Sequence, residues 1–426
     1  MGQKKFLNTI FNQKLILISS IFFSIPIVIT TVFGYEVPLT MLLLPLVYIS
    51  IIYRSYSIEW YLFIASLCCG LISCLVGELI HESDIFWNPF FSLTLILIPP
   101  SFIFLGQQIV HRGYDYKVVI KYLAFFSSVF SIALLARVLQ LDEPVRIEIE
   151  AGMADVKIGS NINASFIGLP VFGSWGVLSL AHLFCIQAFI CLGTFLNSKT
   201  PLYIRITSGV GLICLICLIV GSDAKSAQLG ILWLAIAYLL FTFRSSATRL
   251  FITICLISVV GLLIASPKYF MGESRLGQLI VNSISGESVS DLSTGRTDLI
   301  GSALQDIGGN PMVGVGFGTF NRFKHSATSE FTSSNSSTHI YLLTILWKGG
   351  LLFAIPFLTM LFFVAVKVWK RHKNILITSE GYFALNAILV IFFLLSMTWD
   401  ILIVPSAGAL IFFLFGMLSA VRMHAN

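Results

Sequence analysis

The chain has 426 residues, of which 57% are hydrophobic and 11% charged, with 37 Phe and a formal charge of +6. Soluble domains carry roughly a quarter charged residues, so a mean hydropathy of +0.92 excludes a water-soluble fold and makes the bilayer the solvent. Apolar stretches of about 20 residues recur from end to end, and a single polytopic membrane domain over 1–426 is expected.

Lys4, Lys5 and Lys14 precede the first apolar segment, and no small-residue cleavage pattern follows, so this segment reads as a retained span. Apolar windows then predict spans near 15–34, 38–53, 59–77, 86–105, 118–139, 168–195, 203–221, 227–243, 249–266, 340–366, 381–398 and 401–421. That is an all-α polytopic protein of about twelve helices. All eight cysteines, Cys68, Cys69, Cys74, Cys185, Cys191, Cys214, Cys217 and Cys255, fall in apolar stretches, so disulfides are not expected. Cys214 and Cys217 have CxxC spacing, but with no second pair or nearby His they mark no metal or redox site.

Charge orients the spans. With the N-terminus inside, 16 of the 26 Lys and Arg fall on the cytoplasmic side, against three acids there, Glu59, Asp115 and Glu380. Such asymmetry follows the positive-inside rule and puts both termini in the cytoplasm. The basic balance therefore reports topology, and no nucleic-acid surface is read from it. Two outer segments are too long to be turns: 140–167, with an acidic run from Glu148 to Asp155, and 267–339, rich in Gly, Ser, Thr and Asn. Long loops are usually functional, and the cytoplasmic loops are short, so chemistry is expected on the outer face.

Within the large loop, Leu299, Ile300, Ala303, Leu304 and Ile307 recur at helical spacing after a capping Ser293 or Thr294. The helix should stop at Gly308-Gly309-Asn310-Pro311. The following Val313-Gly314-Val315-Gly316-Phe317-Gly318 has the glycine alternation of a phosphate cradle, but lacks a preceding strand; a tight irregular backbone packed on the membrane domain is the simpler reading. His339 stands at the mouth of the tenth span, where a histidine is more often interfacial than catalytic. Outer cations include Arg296, Lys225 in the turn after span seven, Arg137, Arg146, Arg275, Arg322 and Lys324; taken singly, each reads as an anchor or a solvated charge. The spans carry almost no charge at mid-depth.

Taken in order, Thr294-Gly295-Arg296-Thr297-Asp298, then Asn310 to Gly318, then His339-Ile340-Tyr341-Leu342 with Gly350-Leu351-Leu352 downstream resemble the O-antigen ligase and O-antigen polymerase superfamily. The likeness is densest over 290–366. It implies a membrane glycosyltransferase with a GT-C-like fold and a large periplasmic loop before helix ten, in the bacterial inner membrane. Such an enzyme moves glycan from undecaprenyl diphosphate to an acceptor sugar hydroxyl without metal or cofactor. Its partners would be the lipid-linked glycan, an acceptor glycan or lipid A-core, and a chain-length regulator. The resemblance further implies that Arg296 holds the diphosphate, that Lys225 assists where the family usually has Ser-Arg, and that His339 positions or deprotonates the acceptor. The family's ligases usually have Asn, Ser or Gln at Ile340 and a small residue at Phe353.

Gly168 to Ala181 is similar to the start of span six in polysaccharide polymerases; there Phe172 and Trp175 could stack on sugars or belong to the aromatic belt, and His182 could bond a neighbouring helix. Expected first is a polymerase of lipid-linked repeat units for O antigen, capsule or exopolysaccharide. A ligase to lipid A-core is the alternative, and a transporter or flippase of lipid-linked oligosaccharide is a third class. The third class wants mid-depth charge and repeated halves, and neither is evident.

Overall fold

The computed structural model of the chain describes residues 13–32, 35–53, 57–81, 88–139, 165–166, 169–170, 176–221, 225–242, 296–317, 323–324, 331–332, 340–397 and 401–422. The expected ninth span at 249–266, most of the 140–167 loop, residues 267–295 and the Thr398-Trp399-Asp400 connection lie outside them.

Helix α1 (Gln13–Ser24) stops ten residues short of the expected end of the first span. Pro26 supplies no N–H and favours extended backbone before it, and every residue from Val28 to Val32 is β-branched, which suits a strand. The chain accordingly turns back as a hairpin, β1 (Val28–Val32) paired antiparallel with β2 (Tyr35–Pro38), closed where the Leu39 N–H donates to the Ile27 carbonyl at 2.7 Å. A 3₁₀ turn over Leu39–Leu43 leads into α2 (Leu44–Tyr53). There follow α3 (Ile58–His81), α4 (Asn88–His111) and α5 (Tyr116–Leu139). A two-residue pair β3 (Ser165–Phe166) and β4 (Leu169–Pro170) precedes α6 (Gly176–Leu196), α7 (Leu202–Gly221) and α8 (Lys225–Thr242). In the large loop lie α9 (Arg296–Gly309) and the short pair β5 (Phe323–Lys324) and β6 (Phe331–Thr332). The chain ends with α10 (Tyr341–Lys370), α11 (His372–Leu376), α12 (Ser379–Leu389) and α13 (Pro405–Ser419); between the last two, the backbone widens to a π turn at Val390–Leu394 and tightens to 3₁₀ at Leu395–Met397.

Among the described residues, five helices (within α3, α4, α5, α7 and α10) are long and apolar enough to cross a membrane, and five shorter apolar helices pack with them. The described residues are those of an all-α membrane protein apart from three small strand pairs. Apolar side chains on the outside of the bundle, such as Tyr48, Ile52, Ile213 and Phe362, are exposed in a way only lipid tolerates. The centre is α13, buried along nearly its whole length.

Helix α13 runs beside α4 at a distance only glycine allows. A Cβ on Gly106 would sit 2.2 Å from the Phe413 carbonyl, and one on Gly416 would sit 2.2 Å from the Ile103 carbonyl. Lipid cannot drive helices together as water does, so small residues that let backbones approach are the main device.

At one end of the bundle the charges meet. Lys367 at the end of α10 pairs with the buried Glu59 at the start of α3. Glu380 at the start of α12, also buried, lies 3.8 Å from Lys121 of α5 and accepts from the Asn197 amide just after α6. The Tyr116 and Thr378 hydroxyls bond at 3.1 Å, and the Asn374 amide donates to the Arg422 carbonyl at 3.1 Å. Burial pulls the Arg371 guanidinium below its ordinary value, and Glu59 nearby opposes that shift. The helix ends that meet here are those the charge asymmetry assigns to one side of the membrane.

Candidate active site

Toward the opposite ends of the helices lie α9 and the first turns of α10. α9 forms where the apolar spacing predicts it and stops at Gly309, before Asn310-Pro311. Its inner stripe packs on α10: Ala303 is buried, and with Ile307 it meets Val315, Leu343 and Trp347, while Leu304 faces outward. The Trp347 indole donates to Asp306 at 3.0 Å, tying the last turn of α9 to α10.

The glycine-rich segment is the other tie. α10 is broken at Gly350, where φ is 60° and ψ is −171°, a region essentially closed to residues with a Cβ. The break leaves carbonyls without partners on one side and amides on the other, and the loop supplies both. Val315 and Gly316 donate to the carbonyls of Trp347 and Lys348 at 2.9 and 3.0 Å, and Leu351 and Leu352 donate to those of Pro311 and Met312 at 2.9 Å each. Gly314, at φ 68°, is needed for the fit, since its Cβ would lie 2.5 Å from the Trp347 carbonyl and 2.6 Å from the Gly350 nitrogen. From α3, the Ser73 hydroxyl takes the Gly349 carbonyl at 3.1 Å. The glycine run is thus a backbone splice into a broken span, in keeping with the simpler of its two readings.

Around this splice the packing is aromatic. Phe317 meets Phe353 edge to face at 5.2 Å between ring centroids, and Phe353 stacks on Phe357 at 5.4 Å. Phe353 stands where the resembled ligases have a small residue, and Gly349 accommodates its bulk: a Cβ there would lie 2.6 Å from the ring. Lys348, fully buried, holds its ammonium 5.4 Å from the centre of the Trp347 ring. An ionisable residue inside a span is a strong functional signal, and this one is legible as the lone charge of the 340–366 segment.

Lys225 is the first residue of α8 and Arg296 the first of α9. Their side chains lie outside the described set, as does His339, which directly precedes Ile340, the extended residue that opens α10. Arg146, Arg275, Arg322, Phe172 and Trp175 also fall outside it. His182 is buried on α6 and its Nε2 lies 2.7 Å from the Ser226 hydroxyl, the neighbouring-helix bond expected of it. Asp306, Trp347 and Ser226 escape sequence reading because their roles depend on partners 40 or more residues away.

Residues 210–358 match a family model described as O-antigen ligase. That stretch is similar to the O-antigen ligase family, which supports the resemblance to the O-antigen ligase and polymerase superfamily. No curated protein matches the chain. The O-antigen ligase match runs from the middle of α7 to the middle of α10, so Lys225, Arg296, the glycine splice and His339 all fall inside it. It supports an enzyme of polysaccharide biosynthesis, and with the long apolar helices it indicates a multi-pass inner-membrane protein.

Proposed function

We propose that the protein is a GT-C-type glycosyltransferase of twelve spans that polymerises lipid-linked repeat units on the periplasmic face, with both termini cytoplasmic. The observation that carries this reading is the O-antigen ligase match across 210–358, which spans every residue the chemistry requires. Nucleotide sugars are confined to the cytoplasm, so an outer-face enzyme needs a donor with its own leaving group. Undecaprenyl diphosphate provides one from within the bilayer.

In this reading an acceptor hydroxyl attacks the anomeric carbon of the donor sugar. The new glycosidic bond forms as the bond to the diphosphate oxygen breaks, and the hydroxyl proton passes to His339, whose ordinary pKa of about 6.5 suits a base near neutral pH. Undecaprenyl diphosphate departs with the bonding electrons. Arg296 holds it with a planar, permanently charged fork, and Lys225 adds a point charge. As charge grows on the leaving group these contacts strengthen, which lowers the barrier. Neither a metal nor a cofactor takes part. The large loop, 267–339, carries the site, and its docking through α9 and the glycine splice supports holding Arg296 at a set distance from α10.

The alternative acceptor is lipid A-core, which would make the enzyme a ligase; Ile340 and Phe353 depart from the ligase pattern and favour the polymerase, in which a chain-length regulator would be a partner. The glycan profile of a deletion strain separates the two. Surface glycan reduced to single repeat units is expected of the polymerase, whereas long chains stranded on the lipid carrier would contradict it and favour the ligase.

A further inference from the structure

We infer that His182 is a positioning residue for the donor: through Ser226 it fixes the N-terminal end of α8, and with it the backbone from which Lys225 reaches a lipid diphosphate. The inference rests on the donor role proposed for Lys225.

A neutral imidazole sealed among apolar helices costs free energy unless hydrogen-bonded. His182 is wholly buried and has such a bond, 2.7 Å from Nε2 to the hydroxyl of Ser226, the residue directly after Lys225. Two further contacts continue along the same stripe of α8. A Cβ on Gly230 would meet the Cys185 sulfur of α6 at 2.3 Å, so the two helices touch there, and the Trp233 indole donates to Asn386 of α12 at 3.3 Å. Residues 226, 230 and 233 recur at i, i+4 and i+7, which is one face of a helix. Together the three contacts oppose rotation of α8 about its axis, with the histidine bond the one nearest Lys225.

This matters more for a lysine than for an arginine. An ammonium on a flexible four-carbon stem has no fork to enforce its geometry on phosphate, so its useful position depends on where its backbone is held. Without the bond, the first turn of α8 is free to fray. Donor affinity should then fall while the chemistry at the anomeric carbon proceeds.

Steady-state transfer by purified full-length protein, with lipid-linked glycan as donor, tests this. His182→Ala is expected to raise KM for the donor about tenfold while kcat changes by less than about twofold, the size of one lost hydrogen bond. His182→Gln, which can still reach the Ser226 hydroxyl, should restore KM. Ser226→Ala should reproduce the His182→Ala effect, and the double variant should be no worse than either single one. Equal KM for His182→Ala and the wild type, or single effects that multiply in the double variant, would overturn the inference. Should His182→Ala fail to fold, the comparison of Ser226→Ala with His182→Gln decides it alone: impaired and normal KM respectively support the inference, and any other combination overturns it. Lys225→Ala separates the two claims. Wild-type KM in that variant overturns the donor reading and this inference with it, whereas impaired Lys225→Ala beside normal His182→Ala and Ser226→Ala overturns this inference only.

Discussion

Gly350 and Gly301 show how differently a glycine in this loop-and-helix region can matter. A Cβ at Gly350 would lie 2.4 Å from the Met312 carbonyl, on a backbone at φ 60°. Conformational strain alone costs roughly 1–3 kcal/mol, and the clash forces the splice apart. Gly350→Ala should therefore lower the thermal midpoint in detergent and abolish transfer. Gly301, in the interior of α9 with nothing within 4 Å of a Cβ, should behave in the opposite way. Gly301→Ala is expected to stabilise by about 0.5–1 kcal/mol through helix propensity without affecting activity. Equal midpoints for the two variants would contradict the splice. Both glycines are visible in the sequence, but their difference is not: it lies in which distant backbone comes near. Lys348 is similar, since its lone charge can be read directly, but its place between a tryptophan ring and a helix break cannot.

Elements were more legible than contacts. The periodicity of Leu299 to Ile307 yields α9 and its stop, because an amphipathic helix needs no distant partner to declare itself, but of the expected stripe Ala303 and Ile307 pack inward while Leu304 faces outward. The first span was less legible: hydropathy cannot tell an apolar β-branched run from a helix, and Val28–Val32 became a strand. The pairing of α4 with α13 is likewise silent in hydropathy and rests on Gly106 and Gly416. Gly416→Leu should force these helices apart and cost at least about 1–3 kcal/mol as overpacking does. A lowered midpoint with a larger detergent-exposed surface is the expected result, measured by thermal unfolding and limited proteolysis. An unchanged midpoint would show that the close approach is not needed.

At the scale of the whole molecule, composition and charge sorting carry far. The low charge content specifies lipid as solvent, and the basic ends predicted to share one side meet in the ion pairs of Glu59 with Lys367 and Glu380 with Lys121. Residue order also carries the resemblance to the superfamily, since Arg296, the glycine run and His339 fall in sequence within the O-antigen ligase match. What order cannot carry is the meeting of Lys225, Arg296 and His339, because that depends on how more than a hundred residues of loop and span fold back between the first and the last. The proposed chemistry requires that these residues act together in one transfer, Lys225 and Arg296 on the donor and His339 on the acceptor. Transfer from a lipid-linked glycan by purified protein measures it most directly: Arg296→Ala and His339→Ala, each folded as judged by an unchanged thermal midpoint, are predicted to lose transfer, and full activity in both would contradict the account.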